Sequence, residues 1–170
     1  AKCITSMYDP EGRLTTRDFL RGVKAKVFPV GRLDYDSEGL ILMTNDGELT
    51  NAVLHPKKKI PKTYLVKVEG IIDDKDIQKL GKGIKLKDGA TAPARVKKIK
   101  KTEANSWIEV TIYEGKKRQV RRMCERVGHQ VLKLIRTKID GLELGSLRAG
   151  EYRYLAPEEI KRLKKEVLYY

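Results

Sequence analysis

The sequence predicts an α+β fold built around a mixed or antiparallel sheet. Some stretches alternate in polarity as strands do, while others repeat apolar residues at helical spacing. The two kinds follow one another without the regular strand–helix–strand rhythm of a parallel sheet. A length of 170 residues with 40% hydrophobic residues suits one compact domain with a sizeable core, organised in one or two lobes. No repeat or low-complexity linker divides the chain, so residues 1–170 are read as a single domain.

Each element has its own signal. Cys3 to Met7 reads as a short strand, followed by the turn Asp9-Pro10-Glu11-Gly12. Thr15 or Thr16 caps a short helix through Leu20, and Gly39 to Thr44 is an apolar run of strand length. Asn45 or Asp46 then caps a helix carrying Leu49, Val53 and Leu54. From Lys62 to Glu69 the pattern alternates, with Tyr64, Val66 and Val68 on one side and Thr63, Leu65 and Lys67 on the other. Asp73 or Asp74 starts a helix that stops near Gly81 and Gly83. Ala92 to Lys100 and Trp107 to Tyr113 read as strands, the second with Ile108, Val110 and Ile112 on its apolar face. Lys116 to Val127 reads as a helix whose Val120, Met123, Cys124 and Val127 form a core stripe. Val131 to Ile139 is a further strand. A terminal helix opens at Ala156-Pro157-Glu158-Glu159, with proline early and acids in the first turn.

Charge narrows the function. There are 37 Lys and Arg against 23 Asp and Glu, a net +14. Residues 1–85 carry 16 basic and 12 acidic residues, a net +4, whereas residues 86–170 carry 21 and 11, a net +10. A surface rich in both Lys and Glu would explain many charges but not a one-sided excess. The asymmetry points to a polyanionic partner, RNA or DNA. No apolar run approaches the roughly 20 residues of a membrane span, and Ala1-Lys2-Cys3-Ile4 lacks a signal-peptide layout. Cys3 and Cys124 stand apart, and His55 and His129 are the only histidines. Neither a disulfide scaffold nor a metal site is therefore expected, and a cytoplasmic location fits.

Three segments carry candidate chemistry. Gly31-Arg32-Leu33-Asp34-Tyr35-Asp36-Ser37-Glu38-Gly39 puts three carboxylates beside an arginine, in a loop that feeds an apolar strand. Spacing alone does not choose among Asp34, Asp36 and Glu38, and on the residues alone an acidic surface turn is the favoured reading. Lys116-Lys117-Arg118-Gln119-Val120-Arg121-Arg122 holds five bases in seven residues. On a helix, most of these face away from the core stripe as a phosphate rail or a solvated basic face. Arg121 sits about 60° from Cys124 and about 100° from Val120, at the stripe's edge, where it can pair with a carboxylate. Tyr64 lies on the apolar face of its strand, as a core tyrosine or as one that stacks on a nucleobase.

Together these segments resemble the Rsu/Rlu branch of the pseudouridine synthases, most closely its RluB-like members. The resemblance runs from Pro29-Val30-Gly31-Arg32-Leu33-Asp34-Tyr35-Asp36-Ser37-Glu38-Gly39-Leu40 through Thr44-Asn45-Asp46-Gly47 and Lys62-Thr63-Tyr64. It continues through Glu114-Gly115-Lys116-Lys117-Arg118-Gln119-Val120-Arg121-Arg122-Met123 and Val127-Gly128-His129 to Leu134-Ile135-Arg136 and Pro157-Glu158-Glu159. It implies a mixed, largely antiparallel sheet with flanking helices and a central catalytic cleft. It also implies that Asp34 is the essential carboxylate, that Tyr64 lies under the uracil and that Arg121 pairs with Asp34. Arg32 would help replace the extruded base, and Leu134 would line the base pocket. Family members usually begin with a small RNA-binding module, a linker and a strand with a Lys-Pro pair. The chain opens at Ala1 without them and is read as the catalytic domain.

The function so implied is isomerisation of a uridine in ribosomal RNA, of the large subunit on the RluB-like likeness, by a cytoplasmic monomer without cofactor. Lys116, Lys117, Arg118 and Arg122 are expected to meet RNA phosphates. A small-subunit RNA target and a non-catalytic RNA-binding or ribosome-assembly factor are the alternatives. A glycosidase using Asp34 and Glu38 would explain the acids but not the positive charge.

Overall fold

The computed structural model describes residues 2–168. In chain order the elements are β1 (Phe28–Pro29), β2 (Glu38–Gly39), β3 (Met43–Thr44), α1 (Gly47–Leu54), β4 (Lys62–Glu69), α2 (Asp74–Lys82), β5 (Lys85–Leu86) and β6 (Gly89–Ala90). They continue with β7 (Arg95–Lys101), β8 (Asn105–Ile112), α3 (Gln119–Arg126), β9 (Val131–Ile139), β10 (Leu142–Glu143) and α4 (Pro157–Leu168). The main sheet runs β10-β9-β4-β8-β7 in antiparallel pairs, and β2 joins β9 in parallel. The expected α+β class with a mixed, largely antiparallel sheet is what forms. Asp46 and Asp73 cap α1 and α2, accepting the amides of Leu49 at 2.9 Å and Asp76 at 2.8 Å, as their places before the apolar periods require.

Two apolar clusters hold these elements. In the first, Val66 and Val68 of β4 and Ile108 and Val110 of β8 meet Leu80 of α2 and Met123 and Cys124 of α3. The stripe read from the sequence on α3 is thus buried, and burial pushes the Cys124 thiol up to about 12. The second joins Leu49 and Val53 of α1 to Leu163 and Val167 of α4, with Val30, Leu42 and Ile139. Along β4 and β9, the residues between the clusters include Lys62, Tyr64 and Arg136, a polar seam across one sheet face.

Four local expectations are corrected. Cys3 to Met7 forms no strand; Ile4 makes only an isolated bridge to Thr15. Gly39 to Thr44 is not one strand but is shared between two partners. β2 pairs with β9, whereas β3 pairs with β1. Leu54 ends α1 at 45% exposed instead of joining the core. The basic helix begins at Gln119, not Lys116, because Arg118 adopts a left-handed φ of 49°, which an L-residue cannot repeat along a helix.

Candidate active site

The segment Gly31 to Gly39 is pinned at both ends. At its start the Thr5 hydroxyl donates to the Leu33 carbonyl at 3.0 Å and accepts the Leu33 amide at 3.1 Å. At its end, Gly39 packs so tightly on β9 that a Cβ there would lie 2.2 Å from the Arg136 carbonyl oxygen, at a φ of +112°. Only glycine fits such an approach. Leu40 then donates its amide to that carbonyl at 2.8 Å, and Arg136 Nε returns a bond to the Leu40 carbonyl at 2.8 Å. Arg136 is 4% exposed, and its Nη2 is buried without a hydrogen-bond partner. Its role was missed at the sequence level, although an arginine two residues from Leu134, in phase with the apolar side of its strand, is the signal that marks it.

Within the loop the two aspartates have different surroundings. Asp36 accepts a two-pronged bond from Arg118, at 2.9 and 2.8 Å. Its backbone carbonyl accepts from Arg121 Nη2 at 2.7 Å. The Arg118 fork, with the charge of Arg121 behind it, holds the Asp36 carboxyl at about 2, well below the usual carboxylate range. Asp34 makes no such bond; its carboxylate lies 4.0 Å from Arg118 Nη1 and is 39% exposed. The carboxylate carrying the two-pronged bond is therefore Asp36, whereas Asp34, equally exposed at its side chain, keeps its carboxylate free of hydrogen bonds among the described residues.

That arrangement corrects the expected pair. Arg121 is half-buried as anticipated, but its partner is Asp36, with Nε 3.5 Å from the carboxylate. That Nε contact attracts by charge without forming a hydrogen bond, so the Nη2 bond to the backbone is the anchor. Arg118 reaches Asp34 instead. The reason is the turn at residues 116–118: a left-handed Arg118 aims its fork at the loop, which a continuous helix would not allow. Gln119 sets this turn. Its Oε1 accepts the Lys116 amide at 3.0 Å and its Nε2 donates to Glu114 at 2.7 Å.

The other expected residues divide. Tyr64 is half-buried against the first core and is paired in register with Arg136 on the seam face. Leu134, beside it in register with Val66, is buried in that core. Arg32 is exposed and has no ion pair among the described residues. Of the bases assigned to phosphates, Arg118 is held by Asp36. Arg122 forks onto Asp88 of the β5–β6 hairpin at 2.7 and 3.1 Å, and Lys116 is half-buried, with its Nζ near Gly89 of that hairpin. Lys117 is exposed. No rail of bases forms along α3. Lys62, two residues before Tyr64, is half-buried. Desolvation, then the charge of Arg136, lower its pKa from the usual lysine range. Two surface cavities of about 580 and 460 Å³ are lined by other residues. Asp34 lines neither of them; it is half-buried, at the turn that precedes the strand pairing with β9.

Comparison with known proteins follows the same residues. Residues 5–126 match the family described as RNA pseudouridylate synthase. The chain is 46% identical over 163 residues to ribosomal large subunit pseudouridine synthase B of Bacillus subtilis, covering 95% of this chain and 67% of that protein. It is 41% identical to ribosomal large subunit pseudouridine synthase E of Vibrio parahaemolyticus, over 88% of this chain and 68% of that one. A crystal structure of a pseudouridylate synthase superposes with a TM-score of 0.84 at 34% identity, covering 95% of this chain and 69% of the other.

Proposed function

The chain belongs to the RNA pseudouridylate synthase family, and on that premise we propose that it isomerises a specific uridine of large-subunit ribosomal RNA, with Asp34 as the essential carboxylate. The observation that carries this reading is the similarity to large-subunit enzymes across nearly the whole chain; Asp34 is the carboxylate that the resemblance of the Gly31-Arg32-Leu33-Asp34 segment implies. In this reaction the bond from ribose C1′ to uracil N1 breaks, the base turns, and C1′ bonds to C5. The C5 proton leaves and N1 gains one. No electrons are exchanged, so the chemistry calls for no redox cofactor. Asp34 serves either as a nucleophile at C1′ or as a base at C2′.

The neighbouring residues have separate tasks. Tyr64 holds the detached uracil by stacking while it turns, against the apolar wall that Leu134 supports. The target atom is unreachable in a stacked helix, so the nucleotide flips out at a cost of a few kcal/mol. Arg32, exposed and unpaired beside Asp34, offsets part of that by filling the gap. Arg118 and Arg121 keep the loop in register through Asp36. Lys117 supplies phosphate contact. The protein acts as a monomer in the cytoplasm. The test is base-resolved mapping of pseudouridine in ribosomal RNA from a deletion strain, complemented with wild type or Asp34→Asn. One large-subunit position should lose its modification and regain it only with wild type; an unchanged map would sink the proposal.

A further inference from the structure

The sheet face opposite Tyr64 carries an organised row of charge that the site does not use. Strand register places Lys133 of β9, Lys67 of β4, Trp107 of β8 and Lys100 of β7 side by side, one from each of four adjacent strands. Neighbouring strands lie about 4.8 Å apart, so the row spans roughly 14 Å. Lys67 Nζ lies 5.9 Å and Lys100 Nζ 5.7 Å from the centroid of the Trp107 ring. The aromatic ring attracts both ammonium groups and holds their long stems in place. No carboxylate pairs with Lys67 or Lys100 among the described residues, whereas Lys133 lies 3.8 Å from Glu38, at the end of the Asp34 loop.

The next row in register is Ile135, Leu65, Glu109 and Lys97, of which Glu109 and Lys97 pair at 3.5 Å. Trp107, Leu65 and Ile135 belong to neither apolar cluster and are half-buried. An aromatic ring flanked by lysines on an open sheet is chemically suited to a phosphate backbone, whose negative charge complements the row. Stacked apolar partners would leave the ammonium groups without water or a counter-charge.

We propose that this outer face is a second RNA-binding surface, holding backbone phosphates of the substrate RNA away from the flipped uridine. It rests on the reading of the chain as an RNA-modifying enzyme and adds to it a grip on the RNA on the far side of the sheet. Lys133 and Glu38 join this surface to the loop that carries Asp34, so one RNA can engage both.

Trp107 is the only tryptophan, so its emission reports on this face alone. A large-subunit RNA fragment, end-labelled for anisotropy, is titrated into the wild-type protein at low salt. Trp107 emission should change in step with binding, and acrylamide should quench it less in the complex. Lys67→Gln/Lys100→Gln, and separately Lys133→Gln in case the double variant folds poorly, should weaken RNA binding. For the double variant we expect a loss of about tenfold. Its slope of log affinity against log salt should fall by about 1.5, since each lost phosphate contact removes roughly 0.7–0.9. Lys161→Gln on α4 controls for loss of charge anywhere. The proposal is overturned if RNA binds with Trp107 emission and accessibility unchanged, or if Lys161→Gln weakens binding equally. It is also overturned if polyglutamate, an acidic peptide, perturbs Trp107 where RNA does not. Turnover of the wild-type protein on the same fragment is read separately. Its absence would count against the enzymatic reading and leave the Trp107 result to judge the surface.

Discussion

The Asp34 loop and the outer sheet face use charge in opposite ways. At the loop, arginine forks are consumed by carboxylate and backbone, as Arg118 and Arg121 converge on Asp36; one position further along α3, Arg122 closes on Asp88 of the β5–β6 hairpin. On the face, Lys67 and Lys100 meet only the Trp107 ring. The planar guanidinium fixes a carboxylate in two directions, whereas ammonium on a flexible stem acts as a point charge. Arg118, Arg121 and Arg122 position; Lys67 and Lys100 are left to recruit. The contrast also explains why two aspartates two residues apart differ, one tied and one open.

The largest expected effect tests the open carboxylate. Asp34→Asn should lower pseudouridine formation on the order of a thousandfold, about 4 kcal/mol of lost transition-state stabilisation. Circular dichroism and RNA affinity should stay near wild type; turnover near the wild-type rate would remove Asp34 from the chemistry. Next comes the loop's anchor. Gly39→Ala would drive a Cβ into the Arg136 carbonyl, destabilising the fold by more than about 1 kcal/mol. Thermal unfolding should report this as a Tm lower by roughly 3 °C or more, and an unchanged Tm would mean that β2 need not lie against β9.

A smaller effect separates positioning from recruitment. Arg121→Lys and Arg118→Lys each keep a charge but lose the fork, so kcat should fall about tenfold while RNA affinity changes little. The reverse split, with affinity lost and kcat kept, would place these arginines among the recruiters. The smallest effect lies in pH. The folded Asp36 carboxyl is depressed to about 2 from an ordinary 3.8. Its contribution to loop docking is complete above about pH 4 and lost as pH falls through about 2. Acid unfolding of Asp36→Asn should lack that component; identical acid limbs for the variant and wild type would show that the fork does not hold the loop.

Period and capping signals were legible along the chain because they are local. Lys62–Glu69 forms a strand where the alternation marks it, Val131–Ile139 forms the further strand expected there, and of the paired cap candidates Asp46 and Asp73 cap the helices they precede. The stripe of Val120, Met123 and Cys124 is buried, as its spacing demands. The charge excess and the ordered family motifs likewise pointed to RNA before any coordinates.

Pairings between distant segments depended on tertiary structure. The stretch from Gly39 to Thr44 looks like one strand because apolar content does not encode a partner, yet β9 takes its first part and β1 its last. The partner of Arg121 turned on a single left-handed residue, Arg118, which delays the start of the basic run's helix to Gln119 and aims one fork at the loop. Asp34 and Asp36 have the same chemistry, and 82 residues separate Arg118 from Asp36. Which carboxylate is tied and which stays open follows from where the fold delivers a guanidinium, a geometric fact that residue type and spacing do not contain.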